Sequence, residues 1–255
     1  MKRNMILLIW ALSAIVACVT PLRAMTDLDL IRLYNALPSE DSSGVCRLVV
    51  CFSQYKLVKA GGQWSVAPDP SYAVSISPES KFNVTLDGAN GYLKVVHDFR
   101  SGSVGHVEQE LAVFSTPYGD YVVLSIRQTY VGTACWHWVY RYANSKLEKT
   151  SEDSSPIPRV TVLDFLKQPY PAEPYKILSY FGPRTINVVL PRKGTTVSIC
   201  FDAEPSSHGI GRFLPAEQER IVKATLATVA SSCIEFRWEK ERFVESGRTP
   251  LKLDH

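Results

Sequence analysis

The sequence lacks most of the short patterns that identify a metal or cofactor site. No two cysteines stand in a CxxC spacing, so zinc motifs and thioredoxin-type redox chemistry have no support. There is no GxSxG motif, and the stretch 190–196 has the pattern of a hairpin turn instead of a glycine loop opening a helix. These absences predict that the protein has no metal site, no cofactor and no motif-defined catalytic residue.

An excess of charge is also absent. The chain has 28 Lys and Arg against 25 Asp and Glu, a net charge of +3, and no basic run is longer than two residues. This balance is too weak to favour nucleic-acid binding. The hydrophobic fraction of 45% is ordinary for a globular protein.

The N-terminus has the order of a secretory signal. Lys2 and Arg3 precede an apolar run over residues 5–19, which is shorter than the about 20 residues that span a bilayer. The sequence therefore predicts export to the periplasm or cell envelope without a membrane span.

The sequence offers two alternative sites at which the signal could be cleaved. The residues LRA at 22–24 suit cleavage after Ala24, which makes residues 1–24 the signal peptide. The residues IVAC at 15–18 resemble a bacterial lipobox, in which residues 1–17 are removed and Cys18 becomes a lipid anchor. Cys18 can equally be an ordinary apolar residue of the signal.

Of the six cysteines, one lies in this apolar segment, so an odd number remains. Their neighbours are apolar, which favours buried positions on strands and leaves one long-range disulfide open. Cys46 and Cys51 should point to opposite faces of one strand, so we expect no bridge between them.

The rest of the chain predicts few helices and many strands. A helix is expected over residues 26–37, capped by Thr26, and another over residues 215–229. Turn signals at residues 87–91 and the alternating stretches 186–190 and 197–201 predict antiparallel hairpins. The fold class is therefore α+β with antiparallel sheets.

A polar, proline-containing stretch at residues 150–158 predicts a linker. It divides the mature chain into a β-rich N-terminal half, residues 25–150, and an α+β C-terminal half, residues 151–255. The two halves are similar in outline, since each has a short helix and a sheet closed by an aromatic hairpin.

An aromatic pattern occurs twice. Tyr140-Arg141-Tyr142 is followed five residues on by Leu147, and the stretch 236–238 is followed at the same distance by Phe243. Both patterns are typical of a hairpin with cross-strand aromatic pairs. A looser third form runs from residue 55 to residue 64.

The first of these patterns is also the best candidate for a contact surface. Four aromatic residues alternate on one strand face. This is more than the strand needs in order to pack that face against a core. They could bind a protein, peptide or glycan of the cell envelope. The candidate binding residues are Trp136, Trp138, Tyr140 and Tyr142.

A polar loop at residues 201–213 offers the alternative of a hydrolase. It supplies Asp202, His208 and Arg212 between glycines and serines. Cys135 and His137 share a strand face, but side chains two residues apart on a strand diverge, which disfavours a catalytic pair.

The exported start, the helix ending in ALP, the stretch RQTYVGTACWHWVYRY and the closing IEFRWEKERF resemble a family of uncharacterised secreted proteins of Bacteroidales. The match covers residues 120–150 and 158–246. The resemblance implies a β-rich fold and an envelope location, and it supplies no catalytic residue. The sequence as a whole predicts an exported, non-catalytic binding protein, with a hydrolase or a structural subunit of an envelope assembly as alternatives.

Overall fold

A computed structural model of the chain describes residues 23–37, 55–68, 80–100, 104–129, 133–202 and 215–251. The α-helices of these ranges are α1 (Asp27–Asn35), α2 (Pro174–Tyr180) and α3 (Ala216–Ala227). The strands are β1 (Tyr55–Ala60), β2 (Gln63–Pro68), β3 (Lys81–Asp87), β4 (Tyr92–Arg100), β5 (Val104–Thr116), β6 (Gly119–Thr129), β7 (Thr133–Ala143), β8 (Lys146–Lys149), β9 (Ile186–Val189), β10 (Thr196–Phe201), β11 (Ser231–Glu239) and β12 (Arg242–Pro250).

The strands form three antiparallel sheets. β1 and β2 make a two-stranded sheet, β3 to β8 make a six-stranded sheet in chain order, and the last four strands make a sheet in the order β12-β11-β10-β9. Every strand pairing is antiparallel. The α+β class predicted from the sequence is confirmed.

The middle of the six-stranded sheet is buried on both of its faces. Along β6, Val122 and Leu124 point into one core, while Val123 points into the other. We call the first the α1 core, because it lies under α1, and the second the inter-sheet core, because it lies against the four-stranded sheet. The inter-sheet core includes Phe114, Val139, Val188, Ile199, Ile234, Phe236 and Trp238. The α1 core includes Leu30, Ile31, Leu33, Leu93, Leu111, Leu124, Ile126 and Tyr140.

Helix α1 begins where the sequence predicts. The Thr26 side chain accepts a hydrogen bond from the Asp29 N–H, which satisfies a free donor of the first turn. Asn35 fixes the other end, since its amide accepts from the Leu57 N–H at 3.0 Å and donates to the Leu57 carbonyl at 3.2 Å. The buried face carries Leu30 and its neighbours, whereas Leu28 is exposed.

The repeated aromatic pattern is a repeated hairpin. Tyr142 stands opposite Leu147 across β7 and β8, and Trp238 stands opposite Phe243 across β11 and β12. Both hairpins turn through two residues with positive φ: 52° and 62° at residues 144–145, and 46° and 73° at residues 240–241. The β1–β2 hairpin turns in the same way through two glycines at residues 61–62, so the third form follows the same rule.

The stretch 150–158, predicted as a linker, is exposed over residues 151–154 and packs against the fold over residues 155–158. A short 3₁₀ helix, Glu152–Ser154, starts it. Ile157 then enters the inter-sheet core, and the Pro156 carbonyl accepts a hydrogen bond from the Phe243 N–H at 3.4 Å.

The cysteines of the four-stranded sheet are paired. Cys200 on β10 lies directly opposite Cys233 on β11, and the two form a disulfide. Among the described cysteines, Cys135 is a free, buried thiol. Cys18, Cys46 and Cys51 lie outside the described residues.

Candidate functional site

The aromatic residues of β7 do not form an open platform. Tyr140 has no exposed surface and belongs to the α1 core, so it contributes to packing instead of to a contact surface. Trp136, Trp138 and Tyr142 are half-buried against the same core. The face is continuous, but most of it is covered by the protein itself.

Trp136 lies at the end of this face nearest the C-terminal half. The Arg184 guanidinium is 5.5 Å from its ring centroid, a cation–π distance. The indole Nε1 is buried and has no hydrogen-bond partner among the residues that the structure describes. Burial of this N–H indicates that the ring is held by packing.

Tyr142, at the opposite end of the face, opens onto a groove of about 710 Å³. The groove runs between α1 and the β7–β8 hairpin. Its lining combines an apolar floor with a charged rim and consists of Arg23, Ala24, Met25, Thr26, Asp29, Arg32, Leu33, Ala36, Tyr142, Ser145 and Leu147. A volume of this size is typical of a ligand site.

The rim of the groove is set by α1. Arg32 keeps 69% of its side chain exposed and lies 3.4 Å from Asp29, one turn earlier on the helix. Asp29 also accepts a hydrogen bond from the Thr26 hydroxyl at 2.7 Å. The cap and the ion pair therefore hold both charged groups beside the floor formed by Tyr142 and Leu147.

A second group of polar residues lies on the other face of the six-stranded sheet. His106 Nδ1 is 2.6 Å from Asp98 Oδ1, and its Nε2 is 3.4 Å from Glu108 Oε1. Lys94 contacts Glu108 at 3.1 Å and Glu110 at 3.3 Å. Burial acts to raise the pKa of Glu108, but the hydrogen bonds and positive charge of Lys94 and His106 together outweigh it, and the pKa is lower than usual.

This arrangement resembles only part of a catalytic set. An Asp–His pair orients a base when the second ring nitrogen faces a nucleophile. The second nitrogen of His106 faces a carboxylate instead. Among the described residues, moreover, no group of three His, Cys, Asp or Glu side chains could hold a metal ion.

The loop candidate Asp202 has a structural partner. Arg127 on β6 approaches one of its carboxylate oxygens through Nε at 3.0 Å and Nη2 at 2.9 Å. Beside this pair, burial raises the pKa of the Cys135 thiol to about 12, so the thiol stays protonated near neutral pH. His208 and Arg212 lie outside the described residues, so the catalytic role predicted for this loop stays a prediction.

Sequence reasoning singled out Tyr142 but missed the rest of the groove. Arg32 and Leu33 have the pattern of ordinary positions in a short amphipathic helix, and the sequence did not show that α1 lies over the β7–β8 hairpin.

Among the described residues, no helix has the length and apolar character needed to cross a bilayer.

Comparison with known proteins adds little. No family model matches the chain, and no curated protein matches it. A domain of an uncharacterised protein from Porphyromonas gingivalis W83 has a similar structure, with a TM-score of 0.43 and 14% identity over 68% of this chain and 83% of that chain. That organism belongs to the Bacteroidales, but a likeness at this level carries no argument about function.

Proposed function

We propose that the protein is an exported, non-catalytic binding protein of the bacterial cell envelope, related to secreted proteins of Bacteroidales, and that it binds its partner in the groove beside α1. The observation that carries the proposal is the groove itself. It has a volume that fits a ligand, and it is lined by Tyr142, Leu147 and the exposed Arg32.

Two further observations support export. The first residues have the charge and apolar order of a secretory signal. The Cys200–Cys233 disulfide suits an oxidising compartment, where such bonds form and persist.

The chemistry of the lining favours a polypeptide over a glycan. Glycans bind by stacking on exposed aromatic rings, and here Trp136 and Trp138 pack against the α1 core. The floor offers side chains such as Leu147 and Met25, which suit apolar side chains of a peptide, while Asp29 and Arg32 can contact its polar groups.

The test is a binding screen of the folded protein against an immobilised peptide library, with a glycan array in parallel. Peptide hits should weaken at least tenfold in Arg32→Glu and in Tyr142→Ala. Each variant has a matched control outside the groove: Arg220→Glu, also 69% exposed and paired one turn away on its helix, and Tyr118→Ala, which is 72% exposed. Hits on glycans alone, or equal losses in variants and controls, would contradict the proposal.

A further inference from the structure

The residues just before α1 are built into the fold. The Arg23 N–H donates to the Val113 carbonyl on β5 at 3.2 Å, and the Met25 N–H donates to the Gly88 carbonyl at 2.7 Å. Gly88 makes a second hydrogen bond to this segment, since its N–H donates to the Asp27 carboxylate at 3.0 Å. Residues 23–27, which we call the N-terminal segment, thus bind the β3–β4 turn and the strand beside it.

The β3–β4 turn is shaped to receive this segment. A Cβ atom added at Gly88 would lie 2.6 Å from both the Met25 carbonyl oxygen and the Asp27 carboxylate. One added at Gly91 would lie 2.6 Å from the Arg23 carbonyl oxygen. Both glycines therefore permit a close backbone approach that includes Arg23.

The side chain of Arg23 also has a specific partner. Its guanidinium donates to the carboxylate of Asp120 at the start of β6. The Asp120 side chain is only 4% exposed, whereas Arg23 is half exposed. Removing one partner of a buried ion pair is strongly destabilising, because the other charge is left buried without compensation.

These contacts bear on the two processing sites that the sequence leaves open. Cleavage after Ala24 would remove Arg23, and with it the Val113 hydrogen bond and the partner of Asp120. It would also remove two residues that line the groove. Cleavage before Cys18 would leave all of these contacts in place.

We propose that Arg23 is part of the mature, folded protein, and that the export signal is removed by hydrolysis of a peptide bond on the N-terminal side of Arg23. This inference rests on the proposed export of the protein. Of the two sites read from the sequence, the one before Cys18 satisfies it, and the one after Ala24 does not.

The first experiment measures the intact mass and N-terminal sequence of the full-length chain after export from a bacterial host. A mature chain that begins at Cys18, with or without added acyl mass, or elsewhere before Arg23, is the expected result. A chain that begins at Met25 would overturn the inference while leaving export intact. A chain that keeps Met1 and stays in the cytoplasm would count against the proposed export instead.

The second experiment tests the Arg23 contact whether or not the chain is exported. In the full-length protein, Arg23→Ala should lower the melting temperature by several degrees, and Asp120→Asn should recover part of that loss. Arg32→Ala serves as the matched control, because Arg32 is an exposed arginine of the same groove whose partner, Asp29, is itself about half exposed. An unchanged melting temperature in Arg23→Ala would overturn the inference.

Discussion

Arg127 on the six-stranded sheet and Asp202 at the end of β10 form an ion pair that joins the two large sheets. Two guanidinium nitrogens lie within 3.0 Å of one carboxylate oxygen. The Asp202 N–H donates to the Thr185 carbonyl at 2.8 Å, so the carboxylate is held in place from its own backbone. The pair therefore fixes the position of Asp202 relative to β6.

We predict that Arg127 and Asp202 are energetically coupled. Arg127→Met leaves a mostly buried carboxylate without its partner, so it should destabilise the protein more than the double variant Arg127→Met/Asp202→Asn does. A double-mutant cycle in urea should give a coupling of about 1 kcal/mol. Additive single effects would contradict the prediction.

The Cys200–Cys233 disulfide should contribute strongly to stability. It closes a loop with a sequence separation of 33 residues, for which the chain-entropy account gives about 3 to 4 kcal/mol. Cys200→Ala and Cys233→Ala should each lower the free energy of unfolding by about this amount in urea titrations. Because either substitution breaks the same bond, the double variant should lose little more than a single one.

Two substitutions in the β11–β12 turn should make the protein more stable. Lys240 and Glu241 both have positive φ, a conformation that is unfavourable for residues with a Cβ. Replacing them with Asn-Gly should stabilise the protein by about 1 kcal/mol, since that pair suits a two-residue hairpin turn. Glu239→Gly, one residue earlier in β11, is the control and should destabilise it.

Stability should fall in acid in part through Glu108. Its pKa in the folded protein is lower than the usual value of 4.5, so its contribution is present above that value and is lost as the pH falls through the folded pKa. Glu108→Gln should therefore show a weaker loss of melting temperature than the wild type as the pH falls below 4.5. A loss equal to that of the wild type would contradict the prediction.

The elements that the sequence predicts correctly carry their signals locally. Thr26 caps α1, and the alternating residues of β9 and β10 pair as expected, with Ile199 opposite Val188. Helix α2 was not predicted, because its seven residues are surrounded by prolines and aromatic residues that give no helical pattern. Its one sequence signal is Pro174 at the first helical position, which suits a helix start.

The candidate site was harder to predict because it depends on contacts between distant segments. The aromatic pattern of β7 was visible, but its burial is decided by where α1 packs. The pairing of Cys200 with Cys233 depends on the register between β10 and β11, and helix α3 intervenes between them in the chain. A sequence read without its relatives contains no signal for either contact.

The two-sided burial of the six-stranded sheet has a consequence for folding. In a sheet with one wet face, a one-residue slip exposes apolar residues and is strongly disfavoured. Here a slip would exchange Val122 with Val123 between two dry layers. Over this part of β6, hydrophobicity alone therefore discriminates weakly between registers. The selection falls to tight turns such as residues 144–145 and to ion pairs such as Lys94–Glu108. We expect these to govern how often newly made chains reach the native pairing instead of a misaligned state prone to aggregation.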